Sequence, residues 1–421
     1  MIKITCKGAS QEVGRSAFLV DAGDKILLDY GVKLTPSGIE YPLPVKVNLD
    51  AAIISHAHLD HSGNLPHLFQ ETNCLVYMTR PTLEIAKVLW FDTLKIAGLE
   101  GMDAKFAKEE IVKTEKFTFP VSYGKHMDIT EHSSMVMHDA GHIVGSALTE
   151  LHLGNKTLVY SGDYRYEETR LHSPAQFEKI KSCDYFITES TYGTKDHPNR
   201  KETEKNFVES INEAISKGGH VLLPSFAVGR SQELIDVLSE YKVDAPIYFD
   251  GMGQAIAKIY LSNPTFLRNP KFLAKALERV TWIKNIKMRK KALKEPSIIV
   301  CTSGMMQGGS VYAYLPDVYN DKKSKIILTG YQVMDTPGRI LLETGKINLE
   351  GINVSVKASV EHYDFSAHAG RSEIFKAVRK LNPEKVICVH GDQDITKKFA
   401  KDLKEEGFDS IIPEMGKVIE L

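Results

Sequence analysis

The segment that most constrains this chain is Ser55-His56-Ala57-His58-Leu59-Asp60-His61-Ser62-Gly63, directly after the apolar run Ala51 to Ile54. In an extended backbone, side chains alternate with period two, so His56 and His58 point the same way. A turn immediately afterwards brings Asp60 and His61 round to a second, nearby point. Three imidazoles and a carboxylate within six residues form a mixed nitrogen and oxygen ligand set. Such a set suits zinc and also admits iron or manganese. The plain alternative is a surface loop rich in His. Four ligands at this spacing behind a buried strand favour the metal.

Two metals need more donors than one loop supplies, and three further candidates lie at other strand ends. They are His142 in Ala140-Gly141-His142-Ile143-Val144-Gly145, Asp163 in Ser161-Gly162-Asp163-Tyr164, and His390 in Cys388-Val389-His390-Gly391-Asp392. Each follows or neighbours an apolar run and has glycine beside it, where backbone turns tightly. Singly, each reads as structural; the repeated layout favours ligands.

The surrounding pattern supplies the scaffold. Ala17 to Val20, Lys25 to Asp29 and Ala51 to Ser55 read as strands, followed by a helix from Thr82 to Ala97. Strands return at Ser134 to Asp139, Ala147 to Leu153 and Thr157 to Ser161. This order predicts sheets covered by helices, an αββα layering. After about residue 190, strands alternate with helices, as in Lys205 to Lys217, His220 to Pro224 and Ser231 to Tyr241. That alternation implies βαβ units and a parallel sheet, so a doubly wound segment interrupts the first domain. The 421 residues accommodate two or three domains.

Lys plus Arg number 53 against 54 for Asp plus Glu, so no global basic field draws in nucleic acid. The five cysteines are odd in number and form no CxxC pair, which points to a reducing compartment. No apolar run reaches the roughly 18–20 residues of a membrane span. A soluble, cytoplasmic protein is expected.

The order HxHxDH, His, Asp, His resembles the metallo-β-lactamase superfamily. The resemblance implies that His56, His58 and His142 hold one metal and Asp60, His61 and His390 the other, with Asp163 bridging. Asp29, ending Ile26-Leu27-Leu28, matches the superfamily's first acidic motif and would orient the ligand loop; otherwise it is a turn-forming Asp. Phe186-Ile187-Thr188-Glu189-Ser190-Thr191-Tyr192-Gly193 and Asp364-Phe365-Ser366-Ala367-His368-Ala369 look like motifs A and B of the β-CASP nucleases, with His390 on motif C. Arg15 and Ser225-Phe226-Ala227-Val228-Gly229-Arg230 fit the same family. The chain is most similar to short archaeal relatives of the mRNA 3′-end processing nuclease that lack RNA-binding KH domains. One departure is Asp335, where relatives often have Gly.

This resemblance implies an α/β chain: a metallo-β-lactamase fold in residues 1–190 and 356–421, interrupted by a Rossmann-like β-CASP domain in 191–355. It implies an RNA phosphodiester hydrolase, endonuclease, 5′-3′ exonuclease or both, with two zinc ions or else manganese or iron. Two cations about 3.5–4 Å apart activate water near neutral pH and neutralise the scissile phosphate. Asp60 stands among the catalytic groups as well as the ligands. His368 is the candidate general acid, and Glu189 would orient it and raise its pKa.

Two glycine-bearing turns resemble anion sites at the ends of parallel strands, with Ser225, Arg230 and Gly304 as candidate phosphate contacts. Lys258 to Lys294 holds eleven Lys or Arg and one acid, Glu278, which suits an RNA backbone; a solvated helix face would read the same. Trp282, Phe266 and Phe272 at this spacing read as core. Partners expected are single-stranded RNA, a second copy of the chain and an RNA-processing complex. A small-molecule hydrolase of the same superfamily and a non-catalytic RNA-binding subunit are the competing readings. The long insertion and the full ligand set weigh against them.

Overall fold

Central strands such as Ala51–Ile53, Tyr185–Glu189 and Lys385–Val389 are apolar and buried almost throughout, as strands covered on both faces must be. In the computed structural model, which describes residues 1–35, 38–101, 103–349 and 351–421, they belong to two seven-stranded sheets. The first runs Val418–Glu420, Lys3–Gly8, Ala17–Asp21, Lys25–Leu28, Ala51–Ile53, Leu75–Thr79, Thr118–Val121. The second runs Ser410–Ile411, Lys385–Val389, Tyr185–Glu189, Lys156–Tyr160, Ala147–Leu153, Ser133–Asp139, His126–Asp128. Phe18, Ile26 and Ile53 from one sheet share a core with Met137, Leu151 and Ile387 from the other.

Helices close the outer faces. Phe375 and Val378 of Arg371–Leu381 and Phe399 and Leu403 of Gln393–Glu405 pack on Phe186 and Val386 of the second sheet. Arg80–Glu100 packs on Leu75–Thr79 and Thr118–Val121 of the first, and its buried Trp90 donates to the Ser62 carbonyl. The layering is αββα. Both sheets lie in one compact unit, Met1–Asp196 with Ala367–Leu421.

The second unit, His197–Ser366, holds an all-parallel six-stranded sheet: Thr281–Trp282, Ile247–Asp250, Ile298–Cys301, Val221–Pro224, Lys325–Leu328, Ser359–His362. Ser359–His362 pairs with Lys325–Leu328. Residues 356–366 therefore add an edge strand to the inserted sheet, and the division falls between Ser366 and Ala367, beyond the boundary at 355 read from sequence.

Gly38–Glu40 pairs with Lys33–Thr35. The apolar C-terminal stretch pairs within the chain: Ile411 stands opposite Ile387 and Ile419 opposite Ile4. All five cysteines are unpaired and buried. Among the described residues, no helix is long and apolar enough to cross a membrane.

Candidate metal centre

Parallel pairing brings the ligand-bearing strand ends level. Lys25–Leu28 and Ala51–Ile53 are parallel neighbours that lead into Asp29 and the His56 loop. Lys156–Tyr160, Tyr185–Glu189 and Lys385–Val389 are likewise parallel neighbours. They deliver Asp163, Glu189 and His390. His142 lies in the turn between Ser133–Asp139 and Ala147–Leu153. Two glycines permit this crowding: a Cβ on Gly31 would stand 1.8 Å from the Asp60 carbonyl oxygen, and one on Gly162, at φ 51°, 2.6 Å from Ser55 Cβ.

The seven expected ligands converge as two sets sharing Asp163. In the first, His58 Nδ1 lies 3.2 Å from His56 Nε2 and 3.2 Å from His142 Nε2. Asp163 Oδ2 is 3.6 Å and 3.8 Å from those same two nitrogens. In the second, Asp163 Oδ2 is 3.3 Å from His61 Nε2, and Asp163 Oδ1 is 3.3 Å from His390 Nδ1. Asp60 Oδ2 is 3.3 Å from His390 Nε2 and 3.9 Å from His61 Nε2.

The hydrogen bonds behind the rings set what points inward. His142 Nδ1 donates to the Ala367 carbonyl at 2.9 Å and His61 Nδ1 to Asp29 Oδ2 at 2.7 Å. Acceptor-only partners assign those tautomers, so each neutral ring turns a bare Nε2 lone pair toward the cluster. Burial, then neighbouring imidazoles, hold His56 and His142 well below the ordinary histidine value. Burial opposes charge on Asp60 and Asp163, but the facing imidazoles win and keep both carboxyls low. For His61, carboxylates outweigh burial and raise the pKa well above normal: the space among them favours positive charge, proton or cation. Asp163 Oδ1 is buried with no hydrogen-bond donor among the described residues. This donor set fits divalent cations.

Beside it stands a third group. His368 Nδ1 lies 2.8 Å from Glu189 Oε2 and 3.8 Å from Asp163 Oδ2. Glu189, wholly buried, also accepts from the Tyr164 amide and the Thr191 hydroxyl. Burial opposes a charge on His368, yet Glu189 and Asp163 raise its pKa to about 9.

A profile of metallo-β-lactamase superfamily domains matches residues 18–185, one of Beta-Casp domains residues 231–341, and one of Zn-dependent metallo-hydrolase RNA specificity domains residues 353–413. A Methanocaldococcus jannaschii protein named Probable RNase MJ4 is 39% identical over 430 residues, covering 100% of both chains. The chain belongs to the β-CASP family of the metallo-β-lactamase superfamily. A second relative of this β-CASP chain, RNase aCSPSF2 of Saccharolobus solfataricus, is 37% identical over 98% of this chain and 84% of its own. A crystal structure of an Enterococcus faecalis protein of unknown function shares the fold, with TM-score 0.65 at 14% identity over 100% of both chains.

The expected phosphate contacts of the β-CASP unit are turned inward. Ser225 is fully buried and its hydroxyl donates to the Cys301 carbonyl at 3.2 Å. The buried Arg230 guanidinium pairs with Glu233, which also takes Arg200 at 2.8 Å. At Gly304 a Cβ would stand 2.7 Å from the Phe226 amide nitrogen. Of the basic run, Arg289 pairs with Asp250 at 2.7 Å, while Lys284, Lys287, Lys290 and Lys291 are exposed. Trp282 packs edge-on against Phe249, 5.6 Å between ring centres.

Several supporting groups escape a reading of the sequence. Tyr160 donates its hydroxyl to Asp29 at 2.6 Å. The amides of Ser16, Tyr30 and Val32 donate to the carbonyls of Asp60, His61 and Leu59, each at 2.8 Å, clamping the ligand loop by its backbone. Asp335 has φ 63°; Gly suits that left-handed region best and Asp tolerates it.

Proposed function

We propose that this β-CASP chain is a metal-dependent ribonuclease that hydrolyses phosphodiester bonds of single-stranded RNA, with two zinc ions as cofactor. Its proposed work is RNA processing or decay in the cytoplasm, as a homodimer. The observation that carries the reading is one buried carboxylate, Asp163, shared by two converging ligand sets while His368 and Glu189 stand alongside it. Neither a lactamase-like small-molecule site nor a structural zinc site calls for that third group. Relatives named as RNases over the full chain length add weight.

His56, His58, His142 and Asp163 would hold one cation, and Asp60, His61, His390 and Asp163 the other. Three imidazoles and an oxygen at separations of 3.2–3.8 Å suit zinc, whose tetrahedral ligands at about 2.0–2.1 Å lie roughly 3.3 Å apart. Bound there, the cations supply Lewis acidity toward water and toward phosphate oxygen. Asp29 holds His61 in the tautomer that leaves Nε2 open. Glu189 holds the Nδ1 proton of His368 and keeps the ring charged. His368 Nε2–H is then the donor to the departing ribose oxygen, a step that general acids accelerate by about 10²–10⁴-fold. Ser225, Arg230 and the Gly304 turn would reach phosphate only after leaving their present partners.

The test compares end-labelled single-stranded RNA, DNA of the same sequence and a thioester. Wild type is assayed beside Asp60→Ala and His368→Ala, with metal content measured before and after chelation. RNA cleaved by wild type alone, abolished by chelation and restored by zinc, is the expected result. The product ladder separates internal cleavage from 5′-3′ digestion. Intact RNA beside two tightly bound metals refutes the ribonuclease; thioester turnover would then mark a small-molecule hydrolase.

A further inference from the structure

The segment carrying His368 has no regular secondary structure between Asp364 and Ala369, yet an acid must aim its proton to a fraction of an ångström. Three of the contacts that hold its backbone lie next to His368. The Ala367 carbonyl accepts from His142 at 2.9 Å, the His368 carbonyl accepts from Arg165 Nη1 at 2.9 Å, and the Gly370 amide donates to Glu373 at 2.8 Å. Arg165 links two of the three, since its Nη1 is also 3.2 Å from Glu373 Oε2.

Arg165 is itself buried and held at its backbone. It stands two residues beyond Asp163 and its side chain is only 9% exposed. Its amide donates to the Ala140 carbonyl and its carbonyl accepts from the Ala175 amide, both at 2.9 Å. Glu373 Oε1 accepts from the Glu167 amide at 2.8 Å, closing a frame between the Asp163 strand end and the helix Arg371–Leu381. Burying such an ion pair gains little stability over well-packed apolar side chains. A planar guanidinium, however, can serve a carboxylate and a carbonyl at once in fixed geometry.

We infer that Arg165 is a positioning residue: anchored by Glu373, it fixes the backbone of His368 and thereby the line from the imidazole to the leaving oxygen. The inference rests on the reading of His368 as general acid. Its signature is selective. A ribose alkoxide needs a proton as it departs, whereas 4-nitrophenolate departs without one. Loss of aim should therefore slow RNA cleavage and spare an activated aryl diester.

The experiment uses the full chain as wild type, Arg165→Met, Arg165→Lys and His368→Ala. Each is assayed on an RNA oligonucleotide and on bis(4-nitrophenyl) phosphate, with bound metal counted. A misplacement of about 1 Å costs roughly 10²-fold. Arg165→Met should accordingly lose about 10–10²-fold in kcat on RNA with KM little changed, keep the aryl diester rate and keep its metals. Arg165→Lys, which restores one donor, should recover part of the RNA rate.

Equal loss on both substrates, loss of metal, or an unchanged RNA rate overturns the positioning role. If Arg165→Met does not fold, the ratio of the two rates in Arg165→Lys decides: lowered supports, unchanged overturns. His368→Ala separates the two levels. Should it cleave RNA at the wild-type rate, the general-acid reading falls and this inference with it. Should it spare only the aryl diester while Arg165→Met loses both, the inference alone fails.

Discussion

Replacing Asp29 by Asn isolates one atom's contribution to the metal centre. Asp29 lies at φ 57°, a region Asn adopts readily, so backbone strain does not confuse the result. Its Oδ1 accepts from the Ser55 amide at 2.7 Å. Its Oδ2 accepts from Ser55 Oγ and His61 Nδ1, both at 2.7 Å, and from the Tyr160 hydroxyl at 2.6 Å. An amide nitrogen in the Oδ1 position would face the Ser55 N–H, a donor that cannot reverse. In the Oδ2 position it would face His61, which can escape only by moving its proton to Nε2, onto the lone pair that faces Asp163 and Asp60. One bond to a charged group is lost either way, worth about 1.5–3 kcal/mol. Affinity in the set containing His61 should fall about 10–100-fold, as for other groups that orient ligands from behind. The set of His56, His58 and His142 should hold. Stepwise chelator competition reads the two affinities, and urea unfolding of the metal-free protein reads the stability. Two equivalents of metal at wild-type affinity would refute the assignment of Asp29.

Tyr160→Phe removes one bond to the Asp29 carboxylate without stranding a donor; urea unfolding should show a loss of about 1–3 kcal/mol, and a neutral result would separate Tyr160 from the network. Gly31→Ala drives a methyl group into the Asp60 carbonyl, so the ligand loop must move; bound metal should fall below the wild-type content, and an unaltered content would contradict the packing. Replacing the exposed Lys287, Lys290 and Lys291 together by Gln should flatten the salt dependence of RNA binding by roughly 2 units if all three meet phosphates, at about 0.7 per contact on a single strand. An unchanged slope in fluorescence anisotropy would leave that face merely solvated.

The candidate ligands were legible because each is announced locally, as His or Asp just past an apolar run that must be a strand. His56, His58, Asp60 and His61 even share one loop. The αββα layering and the parallel insertion followed from the same strand and helix periodicities. What stayed hidden depends on contacts between distant segments. Nothing near Tyr160 predicts that its hydroxyl meets Asp29, 131 residues away. Nothing near Arg165 predicts the His368 carbonyl, 203 residues away. Arg230 reads as a phosphate fork, but Glu233, one helical turn on, occupies it. Sequence pattern does not mark the division at Ser366, because Ser359–His362 is a short edge strand whose side chains are exposed or half-exposed, leaving no apolar run.

The parallel pairing of Tyr185–Glu189 with Lys385–Val389 also orders events during synthesis. As the chain leaves the ribosome, His56, His58, His142 and Asp163 emerge early, and His368 and His390 more than 200 residues after Asp163. Joining Glu189 to Val389 closes a loop of about 200 residues, an entropic cost that grows only slowly with length, though such distant pairing is slow to form. Until it forms, a growing chain carries the first ligand set beside an open strand edge and lacks His390, one of the four groups of the second. Completion of the candidate centre thus waits for Lys385–Val389 to dock, and a chain stalled before residue 390 lacks one of its seven donors.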